Sequence, residues 1–144
     1  VEVNIARILG LDIGDSRIGV ALSDPLGMLA SPLTIINRTD EEAALGAIVD
    51  IIRRYQVGRV IAGLPFSMDG RLGRQAEKIK AFVAALGRHT DVPLELRDER
   101  LSTVSAKRLV REVRKTGRGT RYDAIAAALI LQGYLDEAAD ARPE

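Results

Sequence analysis

The sequence predicts an α/β protein built on a five-stranded mixed sheet, an antiparallel three-strand meander plus two parallel strands, flanked by about four helices. Three observations predict it. Leu9-Gly10-Leu11-Asp12-Ile13-Gly14 is apolar on both faces, as the central strand of a covered sheet is. Two apolar runs follow with only turn residues between them, too close for a helical crossover, so they return antiparallel. The later apolar runs are each preceded by a stretch of helical period, the spacing of strands laid parallel. At 144 residues a single domain over 1–144 is expected, ending in an acidic tail over about 139–144. No cysteine is present, which excludes disulfides and thiolate metal sites. The chain does not open on a basic segment with a long apolar run behind it. No apolar run approaches the ~20 residues that span a bilayer, so no membrane is implied and the cytoplasm is the expected compartment.

The elements follow in order. Residues 7–13 form the first strand, and Gly14-Asp15-Ser16 is turn chemistry. Residues 18–22 form the second strand, Asp24-Pro25-Leu26-Gly27 the next turn, and residues 33–36 the third strand. Thr39 with Glu42 reads as a capping box, and Leu45, Ile48, Ile52 and Tyr55 follow at helical spacing until Gly58 breaks the pattern. Residues 59–63 are a short apolar strand, expected parallel to the first. Residues 64–73 form a loop rich in Pro, Ser, Asp and Gly. A helix over about 74–86 then carries Ile79, Phe82, Val83 and Leu86 on one stripe. Residues 92–97 make the fifth strand. Ser102 or Thr103 caps a third helix to about residue 115, residues 117–120 form a loop, and a last helix covers about 122–138. The order β-β-β-α-β-α-β-α-α is that of an RNase H-like sheet, a likeness of fold alone.

Three places carry acids near the ends of these elements. Asp12 interrupts the central strand, where an unpaired buried charge costs several kcal/mol, roughly. It needs a cation, a metal or a shifted pKa, unless it merely caps the turn. Its same-face neighbours are Gly10 and Gly14, which leave room for a ligand or another backbone. Asp123 begins the last helix, where Asp is favoured in any case, but it shares a stripe with Ala126, Ala127, Ile130 and Tyr134 and so should face the sheet. The third is Asp98-Glu99, at the carboxyl end of the fifth strand, where ligands gather. Strict alternation puts Asp98 with Leu94 and Leu96 on the apolar side, and Glu99 with Glu95 and Arg97; a twist at the strand end would reverse this. His89 sits in a polar turn without a Cys or His partner, which rejects zinc, and no hydrolase triad is present.

Charge is distributed unevenly. Residues 107–121 carry Lys107, Arg108, Arg111, Arg114, Lys115, Arg118 and Arg121 against a single acid, Glu112. That segment holds +6 of a net +1, leaving −5 elsewhere, and points to a polyanionic partner. With two Phe, three Tyr and no Trp, phosphate contacts rather than base stacking are expected.

Four stretches, taken together, resemble the YqgF/RuvX family of bacterial RNase H-like nucleases over nearly the whole chain. They are Gly10-Leu11-Asp12-Ile13-Gly14-Asp15-Ser16-Arg17-Ile18-Gly19-Val20-Ala21, Gly63-Leu64-Pro65-Phe66-Ser67-Met68-Asp69-Gly70, Asp98-Glu99-Arg100-Leu101-Ser102-Thr103 and Tyr122-Asp123-Ala124-Ile125-Ala126-Ala127-Ala128-Leu129-Ile130-Leu131. The resemblance implies a site of Asp12, Glu99 and Asp123 holding one or two Mg²⁺ or Mn²⁺ ions, and it selects Glu99 over Asp98. It implies that Arg17, Arg100, Ser102 and Thr103 position phosphates beside those acids. Lys107, Arg108, Arg111, Arg118 and Arg121 fit the accompanying nucleic-acid cradle. Ser67 stands where the family commonly has Asn, which removes an amide from that loop. The implied reaction is phosphodiester hydrolysis, with in-line attack on phosphorus and departure of the 3′-oxygen. Two substrates are assigned within the family, the 5′ end of precursor 16S rRNA and the Holliday junction. The first is favoured here. The second would suit a homodimer carrying two sites. A non-catalytic RNA-binding assembly factor is a third reading, opposed by three acids that repel phosphate unless a metal intervenes. The Asp-x-Gly hairpin also resembles the phosphate turn of the actin and sugar-kinase superfamily, but those proteins close two such domains on a nucleotide.

Overall fold

β1 (Arg7–Ile13) is the middle strand of the sheet, and every other element is laid against it or its neighbours. The computed structural model describes residues 6–64, 70–98 and 119–141. β2 (Arg17–Ser23) and β3 (Ala30–Asn37) complete an antiparallel meander on one side of β1; β4 (Val57–Leu64) and β5 (Leu94–Asp98) extend the sheet in parallel on the other. The strand order is β3-β2-β1-β4-β5, the mixed five-stranded sheet expected from the sequence. Three helices stand among the described residues, α1 (Glu41–Arg54), α2 (Gly70–Gly87) and α3 (Gly119–Ala141). The further helix expected over about 102–115 lies outside them.

Alternation along the strands divides the interior in two. Leu9, Leu11 and Ile13 of β1 join Ile18, Val20 and Leu22 of β2 and Val60 and Ala62 of β4 under α1 and α2, whose contributions include Leu45, Ile48, Ile52, Ile79, Phe82 and Leu86. The opposite face is floored by small residues and covered by α3. Ala21 and Ile61 meet Ala127, Ile130, Leu131 and Leu135 there. A Cβ on Gly10 would lie 2.8 Å from the Leu131 Cβ and 3.0 Å from the Ala127 carbonyl oxygen. The emptiness around Asp12 that the glycines announced is thus taken up, at Gly10, by the backbone of a helix.

Several element ends differ from the sequence reading, each for a local reason. The cap of α1 is Asp40, whose side chain accepts from the Ala43 N–H at 3.3 Å, and not Thr39; the Thr39 N–H is drawn instead to the Asn37 side chain at 3.0 Å. The helix ends at Arg54, and Gln56, two residues before Gly58, takes the left-handed conformation (φ 55°) usually left to glycine. Gly58 is inside β4, where a Cβ would meet the Ala6 side chain at 2.3 Å. α2 begins at Gly70, inside the stretch expected as a loop, and keeps the anticipated buried stripe of Ile79, Phe82 and Leu86. α3 begins at Gly119, in the expected 117–120 loop, and runs to Ala141, so part of the expected tail is helical.

The β1–β2 turn is braced from outside. The Arg38 guanidinium donates to the Gly14 carbonyl at 2.8 Å, its backbone N–H donates to the Ser16 carbonyl at 2.9 Å, and its charge sits 4.8 Å from the centre of the Phe82 ring. That brace fixes the end of the hairpin beside which Asp12 and Arg17 stand.

Candidate active site

Asp12 is the penultimate residue of β1, with Gly19 as its partner across the antiparallel pair. Alternation groups it with Gly10 on the α3 face and separates it from Leu11 and Ile13, which are buried in the other core. The side chain is half-buried.

α3 reaches the same spot from the helix layer. A Cβ on Gly19 would fall 1.8 Å from the Asp123 carbonyl oxygen, so α3 rests on the very residue that pairs with Asp12. No side chain larger than hydrogen fits between them. Asp123 is the fifth residue of α3, beyond the first turn where Asp would be favoured without any other reason. Its stripe faces the sheet: Ala126, Ala127 and Ile130 are buried and Tyr134 is half-buried. The Asp123 side chain is only 17% exposed, and its Oδ2 accepts from the Arg17 Nε at 2.8 Å, across 106 residues of chain. Arg17 opens β2 on the same face as Gly19 and is 52% exposed. Two carboxylates and one guanidinium therefore gather around Gly19.

The fifth strand settles which of its faces is which. Arg97 lies on the α3 side, since a Cβ on Gly133 would stand 3.3 Å from its Nη2, and its Nη1 donates to Glu137 Oε2 at 2.6 Å. Each partner's pKa moves in the sense that keeps its charge: the Glu137 hydrogen bond raises Arg97, and the Arg97 hydrogen bond lowers Glu137. Asp98, next along, alternates with Leu94, which packs into the core under α1 and α2. The reading that put Asp98 with Leu94 and Leu96 is right as to alternation, but that face is the one turned away from Asp12.

Glu99, Arg100, Ser102, Thr103, Lys107, Arg108, Arg111 and Arg118 lie outside the described residues, as does Ser67. Of Arg121 only the backbone, in the first turn of α3, is described. Among the described residues no group of three or more His, Cys, Asp or Glu side chains is placed to hold a metal ion. His89 is an exposed turn residue after α2. Sequence reasoning missed Gly19 as the residue that lets α3 down onto the sheet. The signal was present: Gly19 and Ala21 alternate in β2 as the small partners of Asp12 and Gly10.

A family model described as RuvX, Holliday junction resolvase, matches residues 6–137. A protein from Desulforamulus reducens, named "Putative pre-16S rRNA nuclease", is 46% identical over 92% of this chain and 98% of its own length. One of the same name from Moorella thermoacetica is 48% identical over 90% of this chain and 94% of its own. Among solved structures, Thermus thermophilus RuvC in complex with a Holliday junction substrate superposes with a TM-score of 0.59 at 16% identity, covering 93% of this chain and 96% of that one. At that identity the likeness concerns the fold, which is the RNase H-like arrangement implied by the order of elements.

Proposed function

Because the chain belongs to the RuvX family, we propose that it is a divalent-metal-dependent nuclease that hydrolyses phosphodiester bonds of structured nucleic acid, its substrate the 5′ end of precursor 16S rRNA. The observation that carries the reading is the seating of the Asp123 backbone on Gly19, which brings a second acidic residue to the strand position paired with Asp12. Relatives named for pre-16S rRNA, matched along almost their whole length, support the substrate. A precursor rRNA substrate also sets the work in the cytoplasm. Among the described residues no helix is long and apolar enough to cross a membrane.

The residues present fit a hard cation. The donors are carboxylate oxygens, the chain has no cysteine, and Asp123 already holds a positive charge at 2.8 Å. In this reading Asp12, Asp123 and Glu99 hold one or two Mg²⁺ or Mn²⁺ ions. A metal held there would supply activation of a water and charge neutralisation at the leaving oxygen. The chain's own contribution is placement. The close-packed α3 face keeps Asp12 and Asp123 from relaxing apart, and Arg17 stands at the rim, where phosphate would arrive. Arg97, two residues before Glu99, lies on the α3 side, the side this reading requires. Arg100, Ser102 and Thr103 position phosphates, and Lys107, Arg108, Arg111, Arg118 and Arg121 hold the flanking backbone by charge.

Holliday junction cleavage is the second reading, favoured by the family description and by the fold shared with RuvC; it would call for a homodimer with two sites. A cleavage assay in Mn²⁺ or Mg²⁺ that offers a precursor 16S rRNA 5′ fragment beside a four-way DNA junction separates them. Shortening of the RNA with an intact junction is expected. Symmetric nicking of the junction alone would replace the first reading by the second. Activity retained in Asp12→Asn would remove both.

A further inference from the structure

Arg17 and Asp123 make an ion pair whose two members have very different surroundings. The Asp123 side chain is 17% exposed, on a residue whose backbone carbonyl is seated on Gly19, and the guanidinium is 52% exposed at the start of β2. Asp123 is thus fixed by the fold, whereas Arg17 is held mainly by Asp123. Across the pair from Gly19 stands Asp12, a second carboxylate on the same face. Arg17 supplies a positive charge to a carboxylate that is mostly out of water. A divalent ion taken up by Asp12 and Asp123 would draw on the same carboxylate charge that Arg17 now pairs.

We infer that Arg17 is the built-in counter-ion of Asp123, a competitor that a divalent cation must displace, so that this arginine sets the metal concentration at which the site loads. The inference rests on the metal site proposed above and adds to it a residue that opposes metal binding. The exchange is simple: the Nε–H donation to Oδ2 would be given up, the carboxylate would pair with the cation instead, and the guanidinium, already more than half in water, would return to solvent at little cost.

The test is Mn²⁺ binding by the full chain without nucleic acid, read by calorimetry and by the loss of the free-ion EPR signal. Arg17→Met is expected to bind Mn²⁺ about two- to fivefold tighter than wild type, the span that an exposed-to-half-buried ion pair allows. Its metal-free melting temperature should fall, and its Mn²⁺-induced rise should exceed that of the wild type. Arg17→Lys keeps the charge without the planar fork and should fall between; it carries the same measurement if Arg17→Met loses its fold. Mn²⁺ affinity unchanged or weakened in both variants overturns the inference. Asp123→Asn separates the two levels. Loss of Mn²⁺ binding in Asp123→Asn beside unchanged Arg17 variants sinks the counter-ion alone. Wild-type Mn²⁺ affinity in Asp123→Asn sinks the metal site and the counter-ion together.

Discussion

Single residues decide how closely α3 meets the sheet. Gly19→Ala places a methyl 1.8 Å from a backbone carbonyl oxygen that belongs to a long helix and cannot swing aside. The helix has to lift, and we expect a loss of about 2–3 kcal/mol in urea unfolding, with Mn²⁺ affinity lost as well. Gly46→Ala is the control. Gly46 lies on the exposed side of α1 with nothing within 4 Å of a new Cβ, and the change should stabilise by about 0.5–1 kcal/mol. Asp12→Asn should abolish cleavage while the metal-free protein melts no lower than wild type, because one charge leaves a site that already holds Asp123. Melting several degrees lower would mean that Asp12 works in the fold rather than in the reaction. At this scale the candidate acids stood out in the sequence. Asp12 announced itself as a charge in an apolar strand, and Asp123 as a charge on an apolar stripe. The choice between Asp98 and Glu99 was not legible, because alternation says which residues share a face and not which face holds Asp12.

Elements begin and end where capping oxygens and turns decide, and these are short-range competitions between near-equal candidates. Thr39 and Asp40 are adjacent and both can cap; the Asp40 side chain takes the Ala43 N–H, and the Thr39 N–H goes to Asn37. Gln56 in the left-handed region lets β4 start at Val57, with two residues between it and the helix end, where a break at Gly58 had been expected. Gln56→Gly should therefore stabilise by about 0.5–1 kcal/mol in urea unfolding. The β2–β3 turn shows a different control. The Met28 N–H and then the Leu29 N–H donate to Asp24 Oδ1, at 2.7 and 3.1 Å, and hold its carboxyl below the ordinary value. A depressed native pKa gives stability that is fully present above the unfolded value, about 3.9, and is lost as pH falls through the lower native one. Glu137, lowered by Arg97, contributes in the same window. Thermal melts of Asp24→Asn against wild type should show a shallower decline below about pH 4, since the amide keeps an acceptor oxygen but does not titrate there.

The molecule as a whole is a sheet with two unlike faces and a chain with two unlike charge regions. Large side chains fill the face under α1 and α2, whereas Gly10, Gly19 and Ala21 floor the face under α3. Residues 107–121 carry +6, and in the proposed function that charge, rather than any one contact, holds the nucleic acid. Replacing Lys107, Arg108 and Arg111 together by Ala should lower the salt dependence of RNA binding. The slope of log K against log salt should fall by about two to three, each phosphate contact contributing roughly 0.7–0.9. An unchanged slope would place the polyanion elsewhere. The sequence by itself determined the strand count, the meander with two parallel strands and the buried stripes of the helices. Those follow from periodicity and local chemistry, which are written along the chain. Only the tertiary structure decided that α3 lies on the glycine side of β1 and β2, that Asp123 meets Arg17 across 106 residues, and that Asp98 faces away from Asp12. Each of these depends on which face of the sheet a distant helix covers. Side-chain alternation is symmetric between the two faces, and only packing breaks the symmetry.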